Sequence, residues 1–251
     1  MTMSISTLPK LILVNIFENF DQNDLYTIIS LDKRIFNVSI SLLYKRPVFK
    51  NIKSFEKCSL TLSSSQNRIN YASLITHLDL SGLSEQEKLE IVDSKIIPFI
   101  TSPLSRLQSI NVFGCRLLTN GFARAIASSN LNSLRCLEMG RCVYISAIFI
   151  SEIVKSCKNL EYLGMQGMRL EPFVIYGGDD EKFGRIEALN IGWTENLAND
   201  IVKNLKNLRE LNLSKCLGMN ETILEKLTKY IHPRRTCTSN DLTILIADSF
   251  V

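Results

Sequence analysis

The side chains that most often carry acid–base, metal or nucleophilic chemistry are few and scattered in this 251-residue chain. Its two histidines, His77 and His232, stand in neither a Ser/His/Asp arrangement nor a metal-ligand spacing. The seven cysteines, Cys58, Cys115, Cys136, Cys142, Cys157, Cys216 and Cys237, are odd in number and lack the close pairing of a disulfide or zinc framework. They read as small buried hydrophobes. Gly177-Gly178-Asp179-Asp180 has the glycines of a phosphate loop but not the following Gly-Lys-Ser/Thr, and it reads as a turn. No catalytic group, metal site or cofactor is expected, so the chemistry to look for is that of binding.

A binding surface needs elements to display it, and the sequence repeats. One spacing of apolar residues, three then two apart with a further slot after them, can be laid on Leu107, Ile110, Val112 and Cys115. It recurs at Leu134, Leu137, Met139 and Cys142, at Leu160, Leu163, Met165 and Met168, and at Leu208, Leu211, Leu213 and Cys216. An earlier copy is Ile75, Leu78, Leu80 and Leu83, and another is Ile186, Leu189 and Ile191 with Thr194 in the last slot. The central slots predict short strands, because alternate strand side chains share a face. Phe122, Ala125 and Ile126, then Ile145, Ile148, Phe149 and Ile153, and later Ile223, Leu224 and Leu227, keep helical spacing and predict return helices. One such unit cannot bury its own apolar face, so stacking must supply the core.

These units resemble the cysteine-containing leucine-rich repeats, as in Gly114-Cys115-Arg116-Leu117-Leu118-Thr119-Asn120-Gly121-Phe122 and in Lys215 to Leu224. The expected fold is α/β: a curved parallel sheet with outer helices, over residues 71–251, in about six repeats. Leu242, Leu245 and Ala247 are candidates for a terminal cap. Two stretches depart from the pattern. Glu171 to Gly184 holds Pro172 and the Gly-Gly-Asp-Asp run and reads as a loop, and the wide first step allows an insertion around Pro98 and Pro103.

The outward residues of the strands should line the open, concave face: Asn111, Phe113, Glu138, Tyr162, Gln166, Asn190 and Asn212, with Trp193 just beyond the fifth copy. Exposed aromatics are common at interface hot spots. Arg116, Arg141 and Lys215 flank the strand ends, where they would read acidic or phosphorylated groups of a target protein. The competing reading is that Trp193 packs into the solenoid and the cations are simply solvated.

The first fifty residues have a different pattern. Thr7 and Pro9 suggest a helix start, with Ile12, Ile16, Phe17 and Phe20 as its stripe. Asn23 suggests a second cap ahead of Leu25, Ile28 and Ile29, and Ile35, Phe36, Ile40, Leu42, Leu43 and Tyr44 form a third apolar group. So small a unit cannot hide this much apolar surface by itself. From Leu8 to about Phe49 the segment resembles an F-box, with Leu8-Pro9, Ile12, Ile16-Phe17, Phe20, Asp24-Leu25, Lys33 and Leu43-Tyr44 at that motif's usual positions. Leu11 stands where an acidic residue is common, and Phe36 where tryptophan is common.

The resemblance implies a three-helix module over residues 1–50, a linker or capping segment over 51–70, and the role of a substrate receptor in an SCF-type ubiquitin ligase. The module would dock on a Skp-family adaptor of the cullin complex through Leu8, Pro9, Ile12, Ile16, Phe17, Phe20, Leu25, Phe36, Leu43 and Tyr44. The solenoid would hold an unidentified target protein, and the chain itself would not be an enzyme. Two alternatives stand beside this: the helices only cap the solenoid edge, or the chain is a leucine-rich-repeat binding or inhibitory regulator without ligase role. The net charge of +4 is spread along the chain apart from Lys229, His232, Arg234 and Arg235, so no nucleic-acid partner is expected. No apolar run approaches a bilayer span, the first helix carries little basic charge beyond Lys10, and no secretory signal is legible. A cytoplasmic or nuclear location without a membrane partner is the expectation.

Overall fold

The computed structural model describes residues 5–63, 71–101, 106–129, 131–168, 195–214, 221–223, 225, 227 and 243–245. Helices α1 (Lys10–Phe17), α2 (Gln22–Ile28) and α3 (Lys33–Lys45) pack together around Leu13, Phe17, Leu25, Ile35, Val38, Ile40 and Leu43. Local chemistry sets their starts. Asp21 and Asp24 exchange side-chain and backbone hydrogen bonds in a capping box at α2, and Asp32 accepts from the amides of Arg34 and Ile35 at α3. Two expected caps are therefore corrected. Asp21, not Asn23, caps α2, because its carboxylate reaches the third amide of the helix; Pro9, not Thr7, stands at the α1 cap, and a short 3-10 turn over Ile5–Thr7 precedes it.

A second, larger core begins at Phe49. Helix α4 (Ile52–Ser63) belongs to it: Phe55 is fully buried, stacked on Phe99 at 5.2 Å and edge-on to Phe49 at 5.2 Å. This helix closes the end of the repeat array, where an uncapped apolar edge would meet water. Strands β1 (His77–Asp79), β2 (Ser109–Asn111), β3 (Cys136–Glu138), β4 (Tyr162–Gly164), β5 (Glu210–Asn212) and β6 (Thr243–Leu245) form one parallel sheet in chain order. Leu78, Ile110, Leu137, Leu163 and Leu211 are in register across it and fully buried, and apart from the buried Gly164 their strand neighbours are half-buried or exposed. The step between β1 and β2 contains α5 (Glu85–Lys88) and α6 (Asp93–Ile100), so the insertion expected around Pro98 is helical; Pro103 lies outside the described residues. Helices α7 (Asn120–Ser128), α8 (Ala147–Ser156) and α9 (Glu195–Asn204) return the chain after β2, β3 and β4, and α6 to α9 pack in series. The architecture is the expected α/β solenoid.

Side-chain rungs tie successive units. Asp93 accepts from the amide and hydroxyl of Thr119, and Asn120 accepts from the amide of Ser146 at 2.9 Å. Cys115 and Cys142 occupy one slot in consecutive units, both fully buried, with the Cys142 thiol 3.5 Å from the carbonyl of Val112. Burial pushes the Cys115 thiol up to about 12 and Cys142 well above its ordinary value, which suits inert packing atoms.

Strand β4 pairs directly with β5, Leu163 opposite Leu211, while the copy read at Ile186, Leu189 and Ile191 lies outside the described residues. The link is reinforced at the strand entrances, where Glu161 receives Arg135 from one side and Arg209 from the other. At the far edge Ile244, not Leu245, lies opposite Leu211, one residue earlier than the terminal copy implied.

Candidate functional site

The open face of the sheet is built from the residues on either side of each buried central slot. In four of five units the residue after that slot accepts a hydrogen bond from the amide two positions on. Asp79 accepts from Ser81 at 2.9 Å, Asn111 from Phe113 at 3.1 Å, Glu138 from Gly140 at 2.7 Å and Asn212 from Ser214 at 3.1 Å. These bonds satisfy amides that the ladder leaves free as the chain turns away. The remaining one, the β4 unit, has Gly164, and the Glu138 carboxylate fills the room a Cβ would need there. The Tyr162 hydroxyl donates to that same carboxylate. Burial and then the neighbouring carboxylate hold the Tyr162 phenol protonated, well above its ordinary value.

This arrangement corrects the expectation that strand residues of the open face are all free of structural duty. Asn111, Glu138, Tyr162 and Asn212 lie on that face and are half-buried, but their polar atoms are engaged within it. Gln166 is half-buried, with its carbonyl accepting from the Arg141 amide at 2.8 Å. Asn190, Trp193 and Lys215 lie outside the described residues, as do Gly177 to Asp180 and His232. His77 is half-buried beside Thr76; burial, then Arg46 and Lys45, lower its affinity for a proton.

Past the strands, the backbone turns through a left-handed residue in three consecutive units: Gly114 (φ 82°), Arg141 (φ 62°) and Gly167 (φ 65°). Each donates its amide to the next unit, to the carbonyls of Gly140, Gln166 and Ser214 respectively, at 2.8–2.9 Å. Of these three described residues Arg141 alone is not glycine, and an L side chain there costs roughly 1–2 kcal/mol. Its guanidinium lies 5.3 Å from the ring centroid of Phe113, a contact that returns about 0.5–1 kcal/mol at an exposed site. Phe113 in turn covers Gly140, where a Cβ would meet the ring at 2.7 Å. Arg116 is exposed one residue past the Cys115 slot.

In the helical module the expected adaptor residues divide. Phe17, Leu25 and Leu43 are buried in the module's own core and offer a partner no surface, which corrects their assignment as contact residues. Leu8, Ile16, Phe20, Phe36 and Tyr44 are half-buried against that core, while Pro9 is exposed and Ile12 is 44% exposed. Leu11 at 72%, Tyr26 at 62% and Leu31 at 63% are more exposed still and were not singled out as contacts. Their signal was present: Leu11 and Tyr26 are apolar at positions off their helices' buried stripes, and Leu31 is apolar in the turn between α2 and α3. Between α2, α3 and α4 lies a cleft of about 380 Å³ whose lining includes Tyr26, Tyr44, Val48, Lys50, Lys57 and Cys58 and no carboxylate. Burial pushes Tyr44 up to about 12 and Cys58 up to about 11.

Among the described residues no group of three or more His, Cys, Asp or Glu side chains could hold a metal ion, and no helix is long and apolar enough to cross a membrane. No family model matches the sequence. Among solved structures, the complex of Rad7 and Elc1 in yeast is similar at 13% identity and a TM-score of 0.38, over 89% of this chain and 70% of that one. A likeness of that degree carries no argument about function.

Proposed function

We propose that this chain is a non-catalytic substrate receptor of an SCF-type ubiquitin ligase. Its N-terminal helices dock on a Skp-family adaptor, and its repeat face holds the protein to be modified. The observation that carries the reading is the helical module's surface: with its core already filled, it still exposes Leu11, Ile12, Tyr26 and Leu31. Several exposed large apolar side chains on so small a unit favour a partner surface over a simple cap. The F-box resemblance of Leu8 to Phe49 supplies the kind of partner. In this reading ubiquitin transfer belongs to a separate conjugating enzyme, and the receptor raises the effective concentration of its target.

The test is co-purification of the full chain with a Skp-type adaptor. Leu8→Ala with Pro9→Ala disturbs a half-buried contact and the α1 cap, so the sharper variant is Leu11→Asp with Ile12→Asp, which leaves the module core intact. Binding of the parent chain and a loss of at least about tenfold in the Asp variant are expected. An adaptor that ignores the parent chain, or binds both chains equally, refutes the docking role. A chain that retains a target without any adaptor is a regulator of another kind.

A further inference from the structure

We infer that Arg141, presented on the ring of Phe113, is the specificity contact of the repeat face and reads an anionic side chain, a carboxylate or a phosphate, on a bound peptide segment. The inference deepens the target-holding half of the proposed function and rests on it. Its starting point is a backbone position that glycine fills in the units on both sides, at Gly114 and Gly167. All three residues make the same amide-to-carbonyl bond to the next unit, so that bond asks nothing of the Arg141 side chain. An L residue kept at a left-handed position that glycine serves in both neighbouring units points to a task for its side chain.

The surroundings of Arg141 say what that task is. Among the described residues neither Arg141 nor Arg116 forms an ion pair, although six other pairs are present. The carboxylate on the adjoining strand, Glu138, is turned over Gly164 and held by the Tyr162 hydroxyl and the Gly140 amide. The aromatic ring beneath the guanidinium restrains it, so less side-chain freedom is lost when an anion binds. A planar fork held in this way matches a carboxylate or phosphate with two parallel hydrogen bonds.

The test uses the full chain on an array of short peptides with degenerate flanks and one central residue: Asp, Glu, phosphoserine, Ser or Lys. The parent chain should retain the anionic series over Ser and Lys, and the Asp, Glu and phosphoserine arms identify which anion is read. Arg141→Gly and Arg141→Gln should each lose that preference by at least about tenfold, with Arg141→Lys between them. The melting temperature of Arg141→Gly should stay within about 3 °C of the parent or rise, since both neighbouring units already use glycine. The inference is overturned if no anionic series is retained, if Arg141→Gly and Arg141→Gln bind unchanged, or if Arg141→Gly melts more than about 5 °C lower. Adaptor co-purification of the same preparations separates the two proposals. Adaptor binding without anion preference leaves the receptor reading standing and removes this one, whereas anion preference without adaptor binding does the reverse.

Discussion

Replacing Phe55 by alanine tests whether α4 is part of the solenoid or only leads to it. The side chain is wholly buried, lies parallel to Phe99 of α6 at an interplanar angle of 8°, and meets Phe49 edge-on. Truncation removes one ring from a three-ring cluster and leaves a cavity facing Phe99. Buried Phe→Ala changes cost about 3–5 kcal/mol, and the two lost aromatic contacts argue against the lower end. Against a total of about 5–15 kcal/mol, such a loss moves the urea midpoint far to the left. Urea unfolding followed by circular dichroism reads the midpoint, and hydrogen exchange at the amides of β1 and α6 reads where the array opens first. Leu60→Ala, on the same helix but 72% exposed, is the control and should shift stability by no more than about 0.5 kcal/mol. A loss below about 1 kcal/mol in Phe55→Ala, or equal losses in the two variants, would refute the reasoning that α4 seals the first repeat.

Other consequences are open to measurement. Gly140→Ala should destabilise by more than about 1 kcal/mol, because its Cβ would lie 2.9 Å from the Gln166 carbonyl as well as against Phe113; Gly82→Ala, with nothing within 4 Å, should be neutral or slightly stabilising. Equal melting temperatures for the two variants would sink that distinction. Cys115 and Cys157 are fully buried and each is pushed up to about 12 from 9.0. Their contribution is therefore complete below pH 9 and is lost as the pH rises from there towards 12, because the unfolded thiols ionise first, at about 1.4 kcal/mol per pH unit per thiol. Stability measured from pH 8 to 11 should fall less steeply when both are alanine, and parallel curves would contradict this. Glu161→Gln should cost less than about 1 kcal/mol, with the cost shrinking in high salt, since both arginine partners are more than half exposed; a salt-independent loss would show that Glu161 acts otherwise.

Much of the fold was legible along the chain. The strand slots at Leu78, Ile110, Leu137, Leu163 and Leu211 follow from an alternation that strand geometry imposes on neighbouring residues, so they can be read without knowing what they pair with. The column Asn111, Glu138 and Asn212 was equally visible, but not that its acceptors serve the turn beyond each strand. What the sequence left open involves residues far apart in it. The strand template describes one segment at a time, whereas the direct pairing of β4 with β5 depends on which segments meet. The helical stripes marked Phe17, Leu25 and Leu43 as apolar, but only packing of three helices decided that these turn inward while Leu11, Ile12, Tyr26 and Leu31 remain outside. Arg141 is the sharpest case. Its sequence shows a cation near a strand end, whereas its left-handed backbone and its place on Phe113 arise from a hydrogen bond to the next unit and a ring contributed by the previous one. Periodicity is a local property and was settled by the sequence itself; which side chains are spent inside the molecule, and which are left for a partner, is decided by neighbours that only the folded chain brings together.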